Sequence, residues 1–195
     1  MQRNQLFLLT AFMLVSCVFF TACGGKRSTP AAEVQDTAVV AEESYMDAVN
    51  DYLVDSIGHY YLQGEVCIPY AFIVNTNEDN AEDILVWGDF WVFQYNLVGD
   101  TLQTVSGGNH PGLMHVKKTA DGYEATGFDG VVDGAGNLAS AKRIFGQYYD
   151  LYHEFSSNEE VREKTRAEIT SQYVRKHQLK ATCYQDYGWP AVALP

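Results

Sequence analysis

The stretch GGNHPGLMH, residues 107–115, sets two imidazoles five residues apart, with glycines and a proline around the first. It lies beyond ILVWGDFWVFQYNLV (84–98), a run too rich in Trp, Phe and Val for a surface helix. Gly99-Asp100 between the two reads as a two-residue hairpin turn, which fixes the register of everything that follows. With those two residues in the loop, Val98 faces Thr101, Tyr95 faces Thr104, Phe93 faces Ser106, Trp91 faces Gly108, Asp89 faces His110 and Trp87 faces Gly112. All of these side chains share one face. Bare glycine backbone opposite each tryptophan leaves room for an indole to lie across it. The expected patch is Trp87, Asp89, Trp91, Tyr95 and His110, a carboxylate against an imidazole between aromatic walls. Such a carboxylate favours the imidazolium and lifts the ring above its ordinary pKa of about 6.5. It suits general-base chemistry or ligand binding. The same residues also read as a cross-strand ion pair contributing about 0.2–1 kcal/mol, and GGNHPG as a bulged strand shaped to its tryptophan neighbours.

Other chemistries are less well supported by spacing. His110 and His115 differ by an odd number, so a regular strand points them to opposite faces. Only a bulge, which Pro111 suggests, would bring them together. No HExxH or CxxC spacing is present, so no metal and no cofactor is expected. The second hairpin turn, taken at Asp121-Gly122, sets His115 beside Phe128. Ser106 completes the residue types of a hydrolytic triad with His110 and Asp89 but lacks a nucleophile-elbow context. Glu78 and Asp79 offer carboxylates in a loop that does not follow the EF-hand pattern. The tail aromatics Tyr184, Tyr187 and Trp189 suit a sugar, a partner, or packing across the sheet.

These residues follow an N-terminal segment with an address. Arg3 precedes about fifteen apolar residues (6–20), the plan of a secretory signal and short for a membrane span. Phe20-Thr21-Ala22-Cys23-Gly24 resembles the lipobox of bacterial lipoproteins, with phenylalanine at the position where leucine is usual. The resemblance implies that residues 1–22 are removed as a signal peptide and that Cys23 carries the lipid. Several acyl chains, at about 0.8 kcal/mol for each buried methylene, make a durable anchor. Gly24 rather than aspartate after the cysteine implies, by the same resemblance, the outer membrane over the inner. Residues 24–43 are small, polar and acidic, so 23–43 reads as lipidated cysteine and flexible tether. Of four cysteines, Cys67 and Cys183 remain for the domain, as a possible disulfide or as two buried thiols. A formal charge of −12, without a basic stripe, argues against nucleic acid as a partner.

What remains, residues 44–195, is expected to form a single α+β domain. Tyr45, Val49, Tyr52, Leu53, Ile57 and Tyr60 recur at helical spacing over 42–62. Strands are expected at 66–74, 84–98, 101–119 and 123–132. Two helices then follow, one from Ser140 through Phe155 and one from the capping box at 157–160 to about His177. The expected order is an N-terminal helix, a four-stranded antiparallel meander and two C-terminal helices. That order is similar to the cystatin-like and nuclear-transport-factor-like folds. The function expected is a cell-envelope lipoprotein, non-enzymatic, binding a small molecule, glycan or partner protein at the aromatic patch. The alternative is a small hydrolase or lyase using Asp89 and His110.

Overall fold

The structure, a computed structural model, describes residues 44–195; the expected signal peptide, Cys23 and the tether lie outside the described residues. Helix α1 (Tyr45–Tyr52) starts where the Ser44 hydroxyl accepts from the Met46 amide at 3.2 Å. It widens into a π-helical turn, Leu53–Ile57, and tightens again at Gly58–Tyr60. Four long strands follow, β1 (Val66–Asn77), β2 (Ile84–Val98), β3 (Thr101–Thr119) and β4 (Gly122–Gly130), each antiparallel to its predecessor. Helices α2 (Asn137–Phe145), α3 (Tyr149–Ser156) and α4 (Glu159–Lys176) come next, then the short strands β5 (Cys183–Gln185) and β6 (Val192–Ala193). Among the described residues, no helix is long and apolar enough to cross a membrane.

The α+β class holds, but the sheet is mixed and six-stranded rather than a four-stranded antiparallel meander. Strand β3 is long enough to share its outer edge. Its C-terminal half pairs with β4, while Thr101–Gln103 pairs in parallel with β5, which carries β6 beyond it. The helix expected from Ser140 to Phe155 is divided at Gly146, whose φ of 51° lies in the left-handed region that glycine tolerates.

Side-chain alternation gives the sheet two apolar faces. Val86 and Phe90 of β2 join Met114 and Val116 of β3 beneath Val49 and Leu53 of the N-terminal helical segment. On the opposite face Trp91 and Tyr95 join Ile68 and Tyr70 beneath Phe155 of α3 and Ala167 and Val174 of α4. Farther along that face Trp87 and Leu113 pack against Ala141, Ile144 and Phe145 of α2.

The β2–β3 register begins as expected, with Val98 opposite Thr101 and Tyr95 opposite Thr104. It then shifts by one residue. Gln94 pairs with Ser106, leaving Val105 as the extra residue of a bulge. Gly107 sits just beyond it at φ 151°, and a Cβ there would stand 2.5 Å from the Val92 carbonyl oxygen. From this point Trp91 faces Asn109, Phe90 faces His110, Asp89 faces Pro111 and Trp87 faces Leu113. A one-residue slip exchanges the two faces, so Asp89 and His110 lie on opposite sides of the sheet. The expected carboxylate–imidazole pair is not formed. The next hairpin also differs: Thr119 pairs with Gly122, so Ala120 and Asp121 form its loop, and His115 faces Gly127 rather than Phe128.

Cys67 and Cys183 are free thiols. Cys67 is on β1 and Cys183 on β5, with β2 and β3 between them. Three strand spacings amount to about 14 Å, twice the reach of a disulfide. The tail is held by other means: Tyr184 is buried, the Thr182 hydroxyl donates to Asp100 Oδ2 at 2.8 Å, and Ser171 donates to the Pro195 carbonyl at 2.6 Å.

Candidate functional site

The face of β2 that carries Trp91 and Phe93 is only partly covered by α4. Between that floor, the first turns of α4 and the C-terminal segment 184–192 lies a cleft of about 630 Å³. Trp91, Phe93 and Asn109 form its floor, Arg162 and Glu163 its helical wall, and Trp189 its outer wall. The volume falls in the range of small-molecule pockets.

Arg166 builds the wall. It is buried, and its guanidinium lies 3.9 Å from the Phe93 ring centroid and 4.3 Å from that of Tyr184. Its Nη1 and Nη2 donate to the two Asp186 oxygens at 2.8 and 3.0 Å, a bidentate pair that fixes the C-terminal segment to α4. Nε and Nη2 also donate to the Tyr95 hydroxyl at 3.1 and 3.0 Å. Since Tyr95 accepts from arginine, its own proton goes to Tyr70 at 2.7 Å, Tyr70 donates to Thr170 at 2.9 Å, and Thr170 donates to the Arg166 carbonyl at 2.7 Å. The chain closes with every proton directed. Burial raises the Tyr95 pKa, against the opposing charge of Arg166, so the phenol stays neutral. Burial also raises Asp186, but hydrogen bonds from Arg166 and Thr104 and the Arg166 charge outweigh it and hold the carboxyl below its usual range.

Beneath the floor the polar groups are unsatisfied. Asp89 is 0 % exposed, and burial pushes its carboxyl up to about 6, with Trp91, Arg162 and Asn109 pulling in the other direction. Asn109 Nδ2 reaches Oδ1 only at 3.5 Å, and Oδ2 has no partner. The other buried side-chain atoms without a partner among the described residues are Trp91 Nε1 and Arg162 Nε. They are neighbours that act on one another: the Trp91 N–H is directed at the Asp89 carboxyl and the Arg162 charge acts on it from farther away. The Arg162 guanidinium stands 5.6 Å from the Trp91 ring centroid.

The expected patch therefore divides. Trp91 lies on the floor of the cleft, Asp89 is buried beside it outside the lining, and Tyr95 contributes indirectly by holding Arg166. Trp87 belongs to a separate cluster, its indole N–H donating to the Ile144 carbonyl at 3.0 Å. His110 is on the other face, with Nε2 2.8 Å from the Tyr61 hydroxyl. Burial lowers the His110 pKa, against the pull of Asp133, so the ring is neutral rather than the imidazolium expected beside a carboxylate. Ser106 is also away from Asp89, its hydroxyl donating to the Leu62 carbonyl at 2.7 Å. His115 lies between Asp83 at 2.8 Å and Asp129 at 3.6 Å. Among the described residues no His, Cys, Asp and Glu cluster could hold a metal ion. Of the tail aromatics, Tyr184 packs in the core, while Trp189 stands 70 % exposed at the cleft.

Arg162 and Arg166 were not singled out by sequence reasoning. For Arg166 the signal is its spacing: with Thr170 and Val174 it follows the i, i+4, i+8 stripe of the buried helix face, where a cation requires a partner. A larger hollow, about 770 Å³, opens at the β1 edge between α1 and α4, with Cys67 and Tyr173 in its lining. Its lining carries no tryptophan and no exposed aromatic plate of the kind Trp189 gives the cleft. Compared with known protein families, with curated proteins and with solved structures, the chain matches none.

Proposed function

We propose that the protein is a lipid-anchored domain of the bacterial cell envelope that binds a small molecule, without catalysis, in the cleft between β2, α4 and the C-terminal segment. The observation that carries the binding reading is the hollow of about 630 Å³ itself, with Trp91, Phe93 and Asn109 as its floor, Arg162 and Glu163 on one wall and the exposed Trp189 on the other. A hollow of this size, with an aromatic floor, a few polar groups and a frame fixed by the Arg166–Asp186 pair, is what a preorganised binding site requires. The lipobox-like sequence ending at Cys23 supports the anchor, and residues 24–43 supply the tether.

Two experiments test the two halves. Cells fed a clickable palmitate analogue should label the wild type and leave Cys23→Ser unlabelled; equal labelling removes the anchor. A thermal-shift screen of small metabolites should find compounds that raise the Tm of the wild type and fail to raise that of Trp189→Ala. If every stabilising compound acts equally on both proteins, the cleft is not the site.

A further inference from the structure

Which chemistry fills the cleft depends on the groups that its walls leave free. Arg166 and Asp186 neutralise each other through a bidentate pair, so together they offer a ligand no net charge. What remains on the α4 wall is the half-buried Arg162 between the exposed carboxylates of Glu159 and Glu163. An anion entering here meets one guanidinium and two carboxylates, with Asp89 buried below. A cation meets the Arg162 guanidinium on the same wall as the two carboxylates. Neither sign of charge is matched.

A hydroxyl is. It donates one hydrogen bond and accepts two, so a row of hydroxyls satisfies carboxylates and N–H donors set side by side. Acceptors and donors alternate in this cleft: Glu159 and Glu163 accept, Arg162 donates, and the Asn109 amide on the floor does both. The cleft also carries an unused aromatic plate. Trp189 is 70 % exposed, and the segment bearing it is pinned by Asp186 to Arg166 and by Gln185 Nε2, which donates to the Trp189 carbonyl at 3.0 Å. A large, fixed, solvent-facing indole opposite a polar wall binds a molecule with one apolar face and a polar rim.

We infer that the cleft takes an uncharged carbohydrate, one face of a sugar ring lying on Trp189 and its hydroxyls bridging Arg162, Glu163 and Asn109. The inference rests on the binding reading above and narrows it to one ligand class.

The test uses the full-length chain in a detergent without a sugar headgroup. Intrinsic tryptophan fluorescence is followed while neutral mono- to tetrasaccharides of glucose, galactose, mannose, xylose and N-acetylglucosamine are added. The matching uronates and amino sugars are run beside them, and insoluble neutral polysaccharides are tested by co-sedimentation. At least one neutral series should saturate, and its uronate and amino-sugar counterparts should bind more weakly. Saturation by soluble sugars identifies a free oligosaccharide ligand; co-sedimentation alone identifies a polymer. Trp189→Ala should weaken binding roughly tenfold, equivalent to about 1.4 kcal/mol, with an unchanged far-UV spectrum. Glu163→Gln, which keeps the shape of the wall, should weaken it as well, and a ligand lacking the bridging hydroxyl should be rejected. Preference for the charged sugars, or equal binding by Trp189→Ala, overturns the inference. If a panel of uncharged aromatic fragments without hydroxyls binds the wild type and loses affinity in Trp189→Ala while no sugar binds, the cleft remains a ligand site and the carbohydrate assignment alone fails. If no compound of either panel binds, both fail.

Discussion

Replacing Asp89 by Asn should make the protein more stable at neutral pH, and by an amount that grows with pH. The carboxyl is fully buried, has one long contact to Asn109, and leaves Oδ2 without a partner. Burial raises its pKa from 3.8 to about 6 in the folded state. Between those two values the folded protein holds a proton that the unfolded chain has released, so stability falls as pH rises. Each pH unit is worth about 1.4 kcal/mol, so the raised pKa corresponds to a penalty on the order of 3 kcal/mol, complete above about pH 6. Asn has nearly the same shape and no charge to desolvate. Urea unfolding followed by tryptophan fluorescence at pH 4 to 8 gives the difference between the proteins, and every other titrating group cancels from it. The variant should match or fall slightly below the wild type at pH 4. It should gain about 3 kcal/mol on the wild type by pH 7.5, with an unchanged denaturant slope. A pH-independent difference would refute the reasoning. So would a variant that loses ground as pH rises, because Asp89 would then be a charged partner that Arg162 stabilises.

Three further outcomes are expected. Arg166→Met leaves the Tyr95 hydroxyl and Asp186 unpaired, so unfolding should become easier by about 3 kcal/mol and limited proteolysis near residues 187–190 should accelerate. His110 should titrate below the ordinary 6.5 by NMR, shift in Tyr61→Phe, and be indifferent to Asp89→Asn across the sheet. Its sign opposes that of Asp89: the unfolded chain binds the proton first, so its effect erodes stability as pH falls through 6.5. Cys67 and Cys183 should react with a thiol reagent in denaturant without prior reduction, and Cys67→Ser with Cys183→Ser should not incur the roughly 4–5 kcal/mol that loss of a long-loop disulfide would bring.

The long strands were legible because their signals are local. Runs of β-branched and aromatic residues placed β2 and β3 at 84–98 and 101–119, and Gly99-Asp100 set the first pairs of their register. The site was not, and one residue accounts for it. Val105 is an ordinary strand residue that carries no mark of a bulge; Pro111, which does, pairs regularly with Asp89. Because strand side chains alternate, the extra residue moved His110 to the far face and left Asp89 and Trp91 where they were expected. The disulfide was undecidable for another reason: only the parallel docking of β5 shows that Cys67 and Cys183 are three strands apart. The break in the first C-terminal helix did have a local sign, Gly146, inside an otherwise continuous apolar stripe.

The parallel pairing of β5 with Thr101–Gln103 also imposes an order of assembly. The hairpins from β1 to β4 close through short connections and can form as soon as their residues are present. Thr101 and Cys183 are 82 residues apart, and bringing them together closes a loop that contains α2, α3 and α4. Strand β5 is therefore expected to dock late, onto a sheet already built. The outer wall of the cleft is the last part of the domain to arrive, so an unfinished chain can hold most of its core and yet have no binding site.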